Sequence, residues 1–161
     1  MLPDLTAARP RFVVCEDGTE YLERFQRFLG DAFVFSLASD FESALAAAAG
    51  ADGLLLDLDF RRTPPERLVD ERGAAPPELD AGSRRRLAET QGILILRQLR
   101  ARGVRLPALL FADIDDGQQA RFLERTLAPL TIAPYRLGIV EVAALMRAAI
   151  GPGATPAGSR R

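Results

Sequence analysis

Two short apolar runs in this chain end on acid. Gly53-Leu54-Leu55-Leu56 is followed by Asp57, Leu58 and Asp59, and Phe12-Val13-Val14-Cys15 by Glu16 and Asp17. Carboxylates gathered at such points repel one another unless a cation sits among them. Mg²⁺ suits that position, because it takes one or two carboxylates and completes its shell with waters and phosphate oxygens. With a metal bound, a carboxylate such as Asp57 is competent as a nucleophile on phosphorus and becomes an aspartyl phosphate. Alternatively these acids are solvated strand ends with no chemistry. The usual helpers are missing: all 21 basic residues are arginine, with neither lysine nor histidine. Hydrolases built on Ser-His-Asp or Cys-His are thereby excluded.

The hydrophobic pattern predicts the elements that must position these acids. Phe12 to Cys15 reads as a first strand, and Tyr21, Leu22, Phe25, Phe28 and Leu29 recur at helical spacing before Gly30. Ala32 to Leu37 is the second strand, after which Ser39-Asp40-Phe41-Glu42 reads as a capping box opening a helix through Ala49. Gly53 to Leu58 is the third strand, and a long helix ends near Arg102-Gly103. Leu106 to Ala112 makes the fourth strand, Asp115-Asp116 caps the helix carrying Phe122, Leu123 and Leu127, and Leu130 to Ala133 is the fifth. Ile139, Val142, Met146 and Ile150 stripe a last helix. Strands alternating with helices predict an α/β fold, a doubly wound five-stranded parallel sheet with helices on both faces. Such sheets bind ligands at the carboxyl ends of their strands, where both acid clusters fall.

Bulk properties narrow the class. The 161 residues suit one domain with a single core, here 11–150, with an N-terminal extension at 1–10 and a Pro- and Gly-rich tail at 151–161 expected to be disordered. A net charge of -1 supplies no field to gather nucleic acid or anionic lipid, so neither is expected as a partner. Cys15, the one cysteine, lies within an apolar run, reads as a core residue and suits a reducing cytoplasm. Met1 to Pro10 lacks a signal-peptide pattern, and no apolar run approaches the roughly 20 residues that span a bilayer. A cytoplasmic location is expected.

In this order and spacing, FVVCED, GLLLDLD, GILILRQLRARGVRLPALLFAD and APYRLGIVEVAALMRAAI resemble the segments of a response-regulator receiver domain across nearly the whole chain. The resemblance implies that Glu16 and Asp17 hold Mg²⁺, that Asp57 is the phosphoacceptor and that the carbonyl of Asp59 completes the metal shell. It also exposes departures. Ala112 stands where the family has the Thr or Ser that bonds the phosphoryl group, Ala133 where it has the Lys before Pro134, and Leu130 where it has the switch aromatic. Thr131 and Tyr135 are the near substitutes. In receivers the Lys pairs with the phosphoryl oxygens, the hydroxyl swings in and the aromatic follows, so this set leaves the switch without moving parts. A ligand shifts a conformational equilibrium only through differential contacts with the two states. A phosphoryl group adds roughly -1.5 to -2 of charge, against which Mg²⁺ and Arg136 or Arg61 would stand.

The resemblance therefore implies a degenerate, pseudo-receiver variant. It is expected to be an atypical signalling module, not an enzyme, that acts on protein partners with Asp57 phosphorylation impaired or dispensable. The alternatives are a phosphorylatable Mg²⁺-dependent response regulator and a haloacid-dehalogenase-like phosphatase using Asp57 as nucleophile. DLD also opens that phosphatase family, although on its first strand and followed by Gly-Thr, where this chain has Phe60-Arg61. A Toprim-type enzyme, with an early Glu and a later DLD, is a further rival that the neutral charge disfavours.

The chain also carries an insertion. The Gly that opens the third helix of receivers shortly after the acceptor matches Gly92 here, 92 − 57 = 35 positions on, so about 60–91 is extra. RRTPPERLVDERGAAPPELDAG reads as a loop or lid, Ser83 to Leu87 as an N-terminal extension of the third helix, and Arg84 to Arg86 as a solvated face. Emerging beside Asp57, the insertion is placed either to cover the acid pocket or to carry a partner surface. The last helix and its neighbouring strand are the other candidate contact surfaces, with a homodimer through that helix as one possibility.

Overall fold

The structure, a computed structural model, describes residues 8–76 and 78–151, so most of the expected extension and tail lie outside the described residues. Five strands, β1 (Arg11–Cys15), β2 (Val34–Ala38), β3 (Gly53–Asp57), β4 (Ala108–Phe111) and β5 (Leu130–Ala133), form one parallel sheet in the order β2-β1-β3-β4-β5. Helices α1 (Glu20–Leu29) and α6 (Ile139–Ile150) cover one face, where Phe25, Val142 and Met146 meet Phe12, Val14 and Leu55. Helices α2 (Phe41–Ala48), α4 (Gln91–Ala101) and α5 (Gly117–Thr126) cover the other, where Ala44, Ile95, Leu99 and Leu123 meet Val13, Leu54 and Leu56. Covered on both sides, the central strands have no polar face to offer: Leu54, Leu55 and Leu56 are all 0% exposed. This is the doubly wound sheet expected from the sequence.

The structure corrects the expectation in detail. The capping box of α2 is Asp40 with Ser43 rather than Ser39 with Glu42. Asp40 is extended, its carboxylate accepts the Ser43 amide at 2.8 Å, and the Ser43 hydroxyl accepts the Asp40 amide at 3.2 Å. Ser83 to Leu87 does not extend the next helix. It belongs to a separate α3 (Ala81–Glu89), broken from α4 at Thr90, whose φ of -119° and ψ of 11° leave the helical region and whose hydroxyl donates back to the Arg86 carbonyl. Six α-helices are thus present among the described residues, where five were expected.

The segment between β3 and α4 meets the acids at the strand ends only at its start, with Arg61 and Arg62, and the rest packs to one side. After Phe60, which is fully buried, it runs through a short 3-10 turn (Pro65–Arg67) beside α2, with Arg67 pairing Asp40 at 2.8 Å, and sinks Leu68 and Val69 into the α2/α4 core. The Gln91 side chain accepts the Val69 N–H at 2.8 Å and donates to the Val69 carbonyl at 3.0 Å. A buried Arg100 ties α4 to the next loops by donating to the carbonyls of Leu127, Val104 and Pro129. With one side of the sheet so fastened, the polar business of the fold is left to the carboxyl ends of β1, β3, β4 and β5.

Candidate functional site

Register brings the acids together. Cys15 pairs with Leu56 across β1 and β3, so Glu16 and Asp57 leave the sheet at one level. Asp57 in turn pairs with Phe111, and Phe111 with Ala133. Gly92 fixes Asp57 from the helix side: a Cβ there would overlap the Asp57 carbonyl oxygen, and its own amide donates to the Leu58 carbonyl at 3.0 Å. Only glycine lets α4 start this close to β3.

Asp17, Asp57, Asp59, Arg61 and Arg62 line a cleft of about 300 Å³. Glu16 does not join them. Its carboxylate is buried and turned to the start of α1, accepting the amides of Leu22 at 3.0 Å and Tyr21 at 3.3 Å. Thr19, the residue in capping position, makes no side-chain capping bond, and Glu16 supplies that function from outside the helix. Burial pushes the Glu16 carboxyl up to about 7, against the pull of the Leu22 amide. The side chain expected to hold a metal is instead spent on helix-end donors.

Asp57 accepts two bonds on Oδ1, from the Leu58 amide at 2.8 Å and from the Tyr135 hydroxyl at 3.2 Å. Burial raises its pKa, the Leu58 amide and the Tyr135 hydroxyl oppose that, and the charges of Asp17 and Asp59 add to it. Tyr135 is itself positioned by its amide, which donates to Asp113 at 3.1 Å. Asp59 is paired with Arg61 at 2.6 Å. Burial and the Asp57 charge both push the Tyr135 phenol upward, so it stays a neutral donor.

Arg62, beside Arg61 in the cleft, is the cation that engages Asp17, a role the sequence does not single out. Its guanidinium reaches Asp17 Oδ1 at 2.9 Å and Glu20 at 2.6 and 2.9 Å, while its backbone amide donates to Asp17 Oδ2 at 2.9 Å. Both oxygens of Asp17 are therefore occupied by one residue. Gly18 leaves the room: a Cβ there would meet the ends of Glu20 and Arg62. Arg62 holds the Glu20 carboxyl down at about 2, and its own pKa is raised by the same pairs. Arg136 lies elsewhere, on a separate cleft of about 420 Å³ between β5 and α5 that Ala112, Ile132 and Glu124 also line.

Ala112, Leu130 and Ala133 lie at the ends of β4 and β5. Ala112 follows β4 and Ala133 ends β5, both buried and joined by the Ala112 amide on the Ala133 carbonyl at 3.0 Å. Neither methyl offers a donor to Asp57. Leu130 opens β5, three residues or about 10 Å upstream of Ala133, and packs against the α2/α4 core.

Does this donor set suit Mg²⁺? Of the side chains that would hold a divalent ion, Glu16 faces away and Arg62 bonds both oxygens of Asp17, while Arg61 pairs with the Asp59 carboxylate and Asp57 keeps Oδ2 without a bond. Among the described residues no group of three or more His, Cys, Asp or Glu side chains is arranged to hold a metal ion. With Glu16 turned to α1 and Arg62 on Asp17, the ligand set that the resemblance implied is not assembled in this arrangement.

No family model and no curated protein matches this chain. Solved structures do. A Francisella response regulator 1452 receiver domain matches at 15% identity and a TM-score of 0.60, over 88% of this chain and 97% of that one. The Vibrio cholerae chemotaxis protein CheY4 matches at 13% identity and a TM-score of 0.61, over 88% and 99%. The signal receiver domain of a putative Luxo repressor protein from Vibrio parahaemolyticus matches at 12% identity and 0.61, over 89% and 91%. Identities this low speak for the fold alone. With the strand order, the acids at the strand ends and near-complete coverage of its neighbours, the chain has the fold of a CheY-like response-regulator receiver domain.

Proposed function

We propose that this protein is a receiver-like signalling module that works by binding another protein, without catalysing a reaction and without needing phosphate on Asp57. The observation that carries this is the pair of buried methyls, Ala112 and Ala133, at the two positions from which a receiver reads its phosphoryl group. A phosphoryl group on Asp57 would find no hydroxyl on β4 and no ammonium at the end of β5, so the modified and unmodified states differ little in contact energy. Tyr135 adds to this by already donating to Asp57 in the unmodified protein. A partner would dock on α6 with β5 or on the inserted segment, and the buried free Cys15 suits a reducing cytoplasm. No helix among the described residues is long and apolar enough to cross a membrane.

The test is to add Mg²⁺ with acetyl phosphate or beryllofluoride and follow amide resonances. Little change at Asp57, Ala112 and Leu130, and none in α6, is expected. Large shifts that reach α6 overturn the proposal in favour of a phosphorylatable regulator. Turnover of a generic phosphate ester, lost in Asp57→Asn, overturns it in favour of a phosphatase.

A further inference from the structure

We propose that Arg62 is the resident cation of the acid pocket: its guanidinium and amide occupy Asp17, so that a divalent ion enters only by displacing Arg62 and loosening the start of the inserted segment. Three observations converge on this.

The first is stoichiometric. Asp17 has two oxygens, and Arg62 takes Oδ1 with its side chain and Oδ2 with its backbone, each at 2.9 Å. A metal ligated by Asp17 would sit against the charged Arg62 fork on the same carboxylate, and loss of the backbone bond would loosen the chain at Arg62, with Phe60 still held by its amide on the Ala88 carbonyl. The second is positional. The Asp17 side chain is only 6% exposed, so its charge is hard to satisfy with water, whereas the Arg62 side chain, 58% exposed, reaches in from solvent and is free to leave. The third is steric. Gly18 carries no side chain at the point where the guanidinium crosses to Glu20, and any larger residue would push both groups aside. Arg62, Gly18 and Glu20 thus act together on a pocket that the fold would otherwise leave acidic. A guanidinium is always charged and presents a fork of donors, which lets it span two carboxylates as an ammonium does not.

The proposal stands apart from the one on phosphate: it concerns metal alone, and its failure would leave Ala112 and Ala133 as they are. The test uses the full chain and Mn²⁺ without any phosphoryl donor. Paramagnetic broadening of amides near Asp17 and Asp57 reports binding, and the Arg62 side-chain Nε–H resonance reports displacement. In the wild type, broadening is expected only where the Arg62 resonance also moves. Arg62→Ala is expected to bind Mn²⁺ on the order of tenfold more tightly, the effect of removing one competing charge network. Arg72→Ala, which loses the same charge from the remote pair with Asp70, is expected to match the wild type. Gly18→Ala keeps Arg62 in the chain while pushing its tip away, and is expected to gain Mn²⁺ affinity too, which keeps the test open if Arg62→Ala folds poorly. Equal affinity in wild type and Arg62→Ala overturns the proposal. So does absence of binding in every variant, because Arg62 would then be excluding nothing.

Discussion

Truncating Gln91 tests whether the inserted segment belongs to the fold or merely lies on it. The Gln91 side chain is 1% exposed and closes both hydrogen bonds of the Val69 peptide groups it faces, at 2.8 and 3.0 Å, next to Leu68, which is also 1% exposed. In Gln91→Ala the Val69 N–H and carbonyl lose their partners inside the core. Leaving a buried polar group unpaired costs about 1–3 kcal/mol, so about 3 kcal/mol in all is a fair expectation once partial relaxation is allowed. Set against total stabilities of about 5–15 kcal/mol, that is a large fraction. In urea, the midpoint should fall by about 1.5 M at a slope of about 2 kcal/mol per M, with the slope unchanged. Trypsin supplies a local readout, because Arg67 and Arg72 flank Val69, and the variant should be nicked at Arg72 under native conditions. Gln91→Glu sharpens the case. The introduced carboxyl can still accept from the Val69 N–H, but only its protonated form can donate to the carbonyl. Its pKa in the folded state therefore lies above the ordinary value of about 4.3. Stability is fully present below that ordinary value and is lost as pH rises through the raised one. An unchanged midpoint and cleavage pattern in Gln91→Ala, or a Gln91→Glu variant whose stability is flat with pH, would refute the fastening.

Three further expectations concern the strand ends. Tyr135→Phe removes a donor from Asp57, so the Asp57 carboxyl should titrate still higher by carbon-detected NMR, with less than about 1 kcal/mol lost in stability; an unmoved titration counts against the bond. Gly92→Ala drives a Cβ into the Asp57 carbonyl oxygen, a backbone atom that cannot swing aside, and should cost about 1–3 kcal/mol by thermal unfolding; an unchanged Tm would show that α4 can back away freely. Glu16 has its folded pKa raised from 4.5 to about 7, so its contribution is full below 4.5 and lost as pH rises toward 7. Glu16→Gln keeps an acceptor for the Tyr21 and Leu22 amides and should flatten that part of the stability profile, which a pH series of Tm values checks.

The sheet was legible because its inner strands β1, β3 and β4 are covered on both faces and so read as unbroken apolar runs, which is why Asp57 falls at the end of β3, while β5 is only partly buried and was marked by Pro129 and Pro134 on either side. The acid pocket was legible only in part. Sequence shows that Glu16 stands beside Asp17, but not that its carboxylate turns to the open end of α1, since that depends on the helix starting at Glu20 without a side-chain cap at Thr19. A signal did exist: an acid, Glu16, lies five and six residues before the first-turn amides of Tyr21 and Leu22 that it accepts. Arg62 was harder to see, because its partners are 45 and 42 residues away and its neighbour Arg61 is equally basic. The break at Thr90 was hidden by composition, since Arg84 to Glu89 and Ile93 to Ala101 on its two sides both carry helix formers and one Thr and one Gly between them do not by themselves end a helix. It arises because Gln91 must reach Val69 while Gly92 meets Asp57, two contacts that fix where α4 begins.

Charge decides what such a pocket can do. The carboxylates of Asp17, Glu20, Asp57 and Asp59 face the guanidiniums of Arg61 and Arg62, four negative against two positive charges. Phosphorylating Asp57 would replace one negative charge by roughly -1.5 to -2. Without a divalent ion the cluster would then carry about -2.5 to -3, in a cleft where Asp57 already resists ionisation through burial. A receiver would relieve that strain with Mg²⁺ and a lysine, and the new contacts would drive its change of shape. On the readings proposed above, Arg62 opposes the first and Ala133 does not supply the second, so the added charge would meet little to neutralise it and little contact through which to act. Under the proposed function, the arrangement with Arg62 on Asp17 and Tyr135 on Asp57 would persist after such a charge is added, and a partner would meet a surface set by packing rather than by phosphate.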